Sequence, residues 1–412
     1  MKEKRWDLLA LASIPLMMTL GNSMLIPILP LIEREINITP FQSSLIISVY
    51  SFIAILLIPF SGYLSDRIGR KKVIIPSLIL VGIGGALAAY AAWQMKNPYT
   101  VILIGRFLQG AGASGAFPVV LPTVGDMFKQ EEQVSQGLGI IETANTLGKV
   151  LSPIVGALLA VIIWYVPFVA IPILSFLSAF LVMFLVKVPK QEAKEKTKNT
   201  FHHFKDQLKK TFHDNGRWLM VVFTIGGILM FVLFGFLFHF SSVLEEKYNI
   251  DGYQKGLVLA VPLLFLCIAS FVSGKIIGKD KQRMKYCIAA GTLAASVSLF
   301  FIKVELSLLL FIGLLAIAGT GIGLALPCLD ALITEGIEKE ERGFVTSLYS
   351  SMRFVGVAAG PPLIAVLMKE NAGLIYITLA GTTIIAALMS VFWIRPSDSG
   401  EEEGKPEPST VR

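Results

Sequence analysis

The sequence predicts an all-α integral membrane protein with twelve transmembrane helices in two pseudo-symmetric six-helix bundles. Three observations lead there. Apolar runs long enough to cross a bilayer recur from one end of the chain to the other. Lys and Arg gather in alternate connections between those runs. Short glycine-rich patterns recur about half a chain apart. Of the 412 residues, 54% are hydrophobic and 16% charged, where a soluble domain carries roughly 25% charge. A soluble fold does not need so little charge. A single secretory leader ahead of a secreted domain is excluded as well, because the apolar runs continue to the end and no small-residue cleavage site follows the first of them.

A helix that crosses the hydrocarbon core needs about 20 mostly apolar residues. Taken in order, the runs place helices near 8–31, 43–62, 73–93, 101–124, 135–159, 163–186, 218–241, 254–275, 285–302, 306–330, 344–368 and 373–394. The fifth and sixth are divided by only a few residues, and the even total rests on that division. The chain then falls into an N-terminal bundle (1–186), a cytoplasmic linker (187–217), a C-terminal bundle (218–394) and a flexible cytoplasmic tail (395–412). The linker is charged, with Phe201, Phe204 and Leu208 spaced for a short amphipathic stretch. The tail, SDSGEEEGKPEPSTVR, is polar and has the composition of disordered segments.

Most of the 36 Lys and Arg lie in the termini and in the loops on one side, including Arg67, Arg70, Lys71 and Lys72 and the run from Lys187 to Arg217. The opposite loops hold Arg34, Lys96, Lys247, Lys255, Lys303 and Lys369. This is the positive-inside pattern, and it puts both termini in the cytoplasm. It also accounts for the formal charge of +7 through lipid headgroups, without a nucleic-acid partner. Gly110, Gly112, Ala116 and Pro118 stand in register with Gly319, Gly321, Ala325 and Pro327, and Gly148 and Pro153 with Gly356 and Pro361. Asp126 meets Glu335, and Arg106 meets Leu315. Two six-helix halves related by a parallel repeat suit alternating access.

Charge inside a span is costly and marks a cavity or a partner. Arg106, Lys149 and Arg353 lie within spans, and Glu142 is the matching acid. Arg106, near the outer end of its span, either snorkels to the interface or faces a cavity. The fifth span is the most informative. With Gly148 as origin, Ser152, Asn145, Gly156, Lys149, Glu142 and Thr146 fall on an arc of about 160°. Small residues there let another helix approach closely. Glu142 and Lys149 are separated by about 10 Å of helix rise, so they do not pair directly unless their chains lean together. Glu142 is either a proton carrier or one end of a fixed clamp. Arg353 shares a face with Ser350, Gly356 and Gly360, and either neutralises Glu142 or binds an anionic substrate. The aromatics crowding the seventh span from Phe231 to Phe240 fit core packing or a soft pocket. Cys267, Cys287 and Cys328 form no metal or redox spacing, and neither do His202, His203, His213 and His239. No P-loop and no GxSxG elbow occurs, so neither ATP hydrolysis nor hydrolase chemistry is expected.

Three motifs resemble those of the major facilitator superfamily. The loop from Gly62 to Lys72, GYLSDRIGRKK, is similar to the superfamily's G-x-L-a-D-r-x-G-r-k loop. A degenerate copy from Ser273 to Lys279 lacks the acidic member. Arg106 to Ala113, RFLQGAGA, resembles the R-x-x-q-G-x-g-a element of the fourth helix. Gly139, Gly148, Ser152-Pro153 and Gly156-Ala157 resemble the fifth-helix motif of the twelve-helix drug:proton antiporters, with Ser152 and Ala157 in place of two glycines. Some of that group carry an acid in the first helix, where this chain has Asn22 ahead of Pro27 and Pro30. The resemblance implies a conformational gate at Gly62, Asp66, Arg67, Gly69, Arg70 and Lys71. It also implies close helix packing at Gly139, Gly148, Ser152, Pro153 and Gly156; the candidates for proton coupling or substrate contact are Arg106 and Asn22, where the resemblance bears, and Glu142, Lys149, Arg353 and Asn145, from their place within the spans.

The expected activity is therefore proton-coupled efflux of amphipathic small molecules or drugs, as a monomer in a bacterial plasma membrane, driven by a proton gradient and without cofactor or metal. The alternatives are a dedicated exporter of one metabolite, sugar or lipid, and a non-transporting membrane sensor. The cations Lys149 and Arg353 admit amphipathic anions or polar lipids as cargo.

Overall fold

The computed structural model describes residues 4–128, 131–187, 201–276, 280–303, 306–337 and 339–394. The side chains of Asp66, Phe201, His202, His203, Phe204, Leu208, His213, Glu335 and Arg342, the linker residues 188–200, the tail, and Lys279 of the degenerate loop lie outside the described residues.

Thirteen helices make up the described residues. The first span is not one continuous helix. α1 (Arg5–Ser23) passes through a 3₁₀ turn (Ile26–Ile28) into α2 (Leu29–Ile36). Pro27 and Pro30 each occupy a first-turn position, where a missing N–H costs least, and so restart the helix twice. Asn37 ends α2 in the left-handed conformation, φ 59°. Thr39 and Gln42 then form a reciprocal capping box that opens α3 (Pro40–Ile68). Gly69, φ 104°, turns the chain straight into α4 (Arg70–Gln94), a backbone conformation that glycine adopts without strain. α5 (Tyr99–Met127), α6 (Glu131–Ile162) and α7 (Val166–Leu185) complete the first half. The narrow division between the fifth and sixth spans is the turn at 163–165.

α8 (Phe201–Glu246) runs unbroken for 46 residues, so the expected linker becomes helical well before its end. α9 (Gly252–Ile276), α10 (Lys281–Phe300), α11 (Leu308–Gly336), α12 (Lys339–Asn371) and α13 (Leu374–Trp393) follow. Eleven spans among the described residues are long and apolar enough to cross a membrane, counting α1 through α2 as one. α10 is the twelfth. Lys281, Arg283 and Lys285 dilute its hydropathy, while Asp280 caps it by accepting from the amides of Gln282 and Arg283.

The two halves share one packing scheme. In the first, α1 packs on α6 and α7, α3 on α5, and α4 on α5 and α7. In the second, α8 packs on α12 and α13, α9 on α11, and α10 on α11 and α13. Exchanging the halves maps one set onto the other. The main contacts between halves obey the same exchange, α3 with α12 and α6 with α9. The repeated glycines mark equivalent crossings. A methyl group on Gly110 would strike the Tyr50 carbonyl of α3, and one on Gly319 the Pro262 carbonyl of α9. A methyl on Gly356 would strike the Gly227 carbonyl of α8, and one on Gly148 would fit tightly, 3.1 Å from the Leu16 carbonyl of α1, so both helix pairs cross closely. Large apolar residues such as Phe52, Phe60, Trp93, Phe184, Phe271 and Phe392 point outward, as lipid contact demands.

Candidate functional site: a charge cluster between the two halves

Glu142 lies within α6 yet is exposed. The side-chain amide of Asn145 donates to both its oxygens, at 3.2 and 3.3 Å. Thr19 of α1 in turn donates to the Asn145 carbonyl oxygen at 2.6 Å, so the α1–α6 crossing orients the acid. Lys149 stands two turns further along α6 and interacts electrostatically with Glu142, Arg353 and Asp330, with Cys267 of α9 nearby. Across from α6, Arg353 of α12 pairs with Asp330 of α11 at 3.7 Å, with its guanidinium 5.6 Å from the centre of the Tyr349 ring. The Asp330 side chain is 40% exposed and that of Arg353 19%. Two acids and two bases thus share one space between the halves, open to water although it lies within spanning helices.

Asp330 is the member of this cluster that sequence reasoning missed. Ending the tenth span at 330 placed this acid at the membrane edge. α11 continues to Gly336 and carries Asp330 into the interior. The signal was an acid three residues beyond Pro327 in a run with no other charge behind it.

On the Pro27 side of Lys149 the space closes. Lys149, Ser152 and Pro153 line a cavity of about 20 Å³ with Ser23, Ile26 and Pro27 of the first half and Phe234, Leu237 and Leu263 of the second. That volume suits about one water molecule. Beyond it, Ser241 of α8 donates to the Ile26 carbonyl at 3.0 Å, and Glu245 of α8 bridges Arg34 of α2 and Lys255 of α9, the latter at 2.8 Å. Ser43 of α3 donates to Glu33 of α2. Lys255, expected in an outer loop, is only 2% exposed, because it falls in the first turn of α9 beneath this ionic cluster.

Arg106 belongs to a different place. It is fully buried and does not snorkel. Its Nε donates to the Ile46 carbonyl at 2.7 Å, Nη1 to Gln109 at 2.5 Å and Nη2 to the Asn22 side-chain oxygen. The Tyr50 ring lies 4.6 Å from its guanidinium carbon. Arg106 and Asn22 therefore form a knot among α1, α3 and α5, apart from the Glu142 cluster. The antiporter-like residues also separate. Ser152 is fully buried, its hydroxyl donating to the Lys149 carbonyl at 3.0 Å. A methyl on Gly156 would strike the carbonyl of Met24, the residue just past α1, and one on Gly256 of α9 would stand 2.5 Å from the Pro153 carbonyl. Gly139 touches no neighbouring helix. In the loop expected to gate, Arg70 pairs with Asp126 of α5 at 3.0 Å and donates to Ser65 at 2.7 Å. Lys71 donates to the carbonyls of Met183 and Val186, at 2.6 and 2.9 Å. Gly62 faces Ser347 of α12 across the halves, and Arg67 is exposed. Among the described residues no group of three or more His, Cys, Asp or Glu is arranged to hold a metal.

Twelve spans in two equivalent halves, with charges gathered between them and one mouth closed, have the build of a membrane transporter. The sequence matches the profile of the Major Facilitator Superfamily over residues 11–361 and 307–411, and the chain belongs to that family. It is 52% identical to the bacillibactin exporter of Bacillus subtilis over 96% of this chain and 98% of that one. It is 25% identical to the class E tetracycline resistance protein of Escherichia coli, covering 91% and 92% of the two chains. Among solved structures it resembles the human organic anion transporter MFSD10 (TM-score 0.74, 17% identity, 94% and 99% covered) and a D-xylose–proton symporter (TM-score 0.76, 13% identity, 95% and 98% covered). At such identities the last two show the fold alone.

Proposed function

We propose that this protein exports bacillibactin, or a molecule built like it, from the cytoplasm in exchange for protons. The observation that carries the substrate is the 52% identity with the bacillibactin exporter over nearly the whole of both chains. The dedicated-exporter reading is thereby favoured over broad drug efflux, since the tetracycline and multidrug relatives stand at 22–26%. The coupling reading rests on Glu142, exposed between the halves with two cations in electrostatic reach. Glu142 takes a proton from outside when the outer mouth opens and releases it inside as substrate binds; Lys149 and Arg353 offer positive charge to an acidic cargo. The loop from Gly62 to Lys72 braces the inner ends of α3 and α4 against α5 and α7 during the switch. The protein works as a monomer in a bacterial plasma membrane, with both termini in the cytoplasm, as the Lys and Arg distribution supports.

Inverted vesicles with an imposed pH gradient test this. Bacillibactin accumulates inside them, collapsing the gradient stops accumulation, and Glu142→Gln abolishes the dependence on it. Gradient-independent flux, or full coupling in Glu142→Gln, overturns the mechanism. Tetracycline carried as fast as bacillibactin restores the broad-specificity reading.

A further inference from the structure

Side chains from three helices meet at one carbonyl in the second half. Ser273 of α9 donates to the Leu324 oxygen of α11 at 3.0 Å and Cys328 of α11 donates to it at 2.9 Å, while the Cys287 thiol of α10 lies 3.8 Å from it. A carbonyl oxygen offers two lone pairs, so three such donors are not all served. The two thiols accordingly lie within hydrogen-bonding reach of each other. Both cysteines are free, Cys328 buried and Cys287 partly exposed. The pair is made by a helix crossing. A methyl on Gly291 of α10 would stand 2.5 Å from the Gly321 carbonyl of α11, and one on Gly321 would strike the Gly291 carbonyl. The two backbones thus touch one turn from Cys287. A disulfide needs its Cα atoms about 4.4–6.8 Å apart, so it joins two helices only near a close crossing. Pro327, just ahead of Cys328, supplies no amide to the Gly323 carbonyl, and Ser270 of α9 donates there instead at 2.9 Å. That turn of α11 lacks a bond of its own and yields more easily than its neighbours.

We infer that Cys287 and Cys328 are a disulfide-forming pair, closed by a peroxide, which staples α10 to α11 within one half. A single buried cysteine packs as a small hydrophobe. Two that reach each other from different helices have a reaction available to them. Cys287, the more exposed, attacks first. Its sulfur forms a bond to one peroxide oxygen, the O–O bond breaks, and the thiol proton leaves with the other oxygen as water. Cys328 then attacks the sulfur of that sulfenic acid. The S–S bond forms, the S–O bond breaks, and the second thiol proton departs in a second water. Two thiols have lost two electrons and the peroxide has gained them. Exchange with two thiols of a cellular reductant reopens the pair, and a reducing cytoplasm keeps it open at rest. Because α10 and α11 belong to the same half, the staple does not bridge the seam and leaves the rocking of the halves free. It constrains the unfolded chain instead, and so steadies the second half against unfolding.

The full-length protein in membranes is treated with hydrogen peroxide, denatured and labelled with a maleimide, and its labels are counted by mass. The untreated protein takes up three. The expected result after peroxide is the loss of two, their recovery with dithiothreitol, and a non-reduced digest in which the peptides of Cys287 and Cys328 are joined. Cys287→Ser and Cys328→Ser are each expected to keep both of their remaining labels. Three labels retained in the wild type, a loss that dithiothreitol does not reverse, or a bond through Cys267 overturns the proposal. The melt is a second readout that needs only the wild type. Peroxide is expected to raise its melting temperature by several degrees and dithiothreitol to return it; an unmoved melt in protein shown to be joined overturns the stapling role. Only the last measurement rests on the exporter reading. Vesicles that carry bacillibactin when reduced are expected to keep most of that rate when oxidised, and arrest would show a lock between the halves in place of a staple within one. If reduced vesicles carry no bacillibactin, the exporter reading falls, while the label count and the melt still judge the cysteine pair.

Discussion

Arg106 and Arg353 are both guanidinium groups inside the membrane, and the structure treats them in opposite ways. Arg106 is fully buried, held by neutral acceptors on three helices of one half and covered by the Tyr50 ring. Arg353 is partly open, loosely paired to a carboxylate, and in range of charges on the other half. The freedom of their partners separates them. Amides and a backbone carbonyl locked in one bundle give a charge nowhere to go. A carboxylate at the seam between two bundles gives it two states.

The sharpest way to break this contrast is to remove each arginine. Arg106→Ala leaves a cavity and strands buried acceptors, costing about 3–5 kcal/mol, read as a fall in melting temperature and folded yield in detergent. Equal loss of stability in Arg353→Ala would erase the distinction. Arg353→Gln is expected to stay within about 1 kcal/mol of wild type in the same melt while coupled export drops about tenfold or more, equivalent to about 1.4 kcal/mol in the barrier. The close approach of α6 to the chain just past α1 supplies a smaller effect. Gly156→Val overpacks it at a cost of about 1–3 kcal/mol, whereas Gly139→Ala, on the open stretch of the same helix, changes the melt by less than about 0.5 kcal/mol. Asn22→Ala removes one hydrogen bond to the Arg106 charge, at about 1.5–3 kcal/mol, less than the loss of Arg106 itself. A full collapse there would mean that the knot depends on that acceptor more than on the other two.

Much of the fold was legible because a bilayer admits few solutions. Apolar runs of spanning length, the side preference of Lys and Arg, and the spacing of Gly110 and Gly148 against Gly319 and Gly356 require only composition and period. The break in the first span was legible only as two prolines, since whether Pro27 and Pro30 kink a helix or restart it depends on what packs around them. The site was harder. Glu142, Lys149 and Arg353 stand out as charges in apolar runs, but their company depends on which helices meet. Asp330 and Lys255 were lost to span boundaries: a shift of one or two turns moves a residue from headgroup to interior. Gly139 shows the converse, since it fits a motif by spacing while its neighbourhood is empty.

α8 carries one more consequence. Most long helices here contain a proline, but α8 has none from Phe201 to Glu246, a rod of about 69 Å at 1.5 Å per residue. Its far end holds Glu245, which joins Arg34 and Lys255 in the ionic seal. Its near end emerges where the chain crosses from one half to the other. A rod without a joint transmits a tilt from end to end, so the segment that tethers the two halves is also the handle of the latch on the opposite face of the membrane.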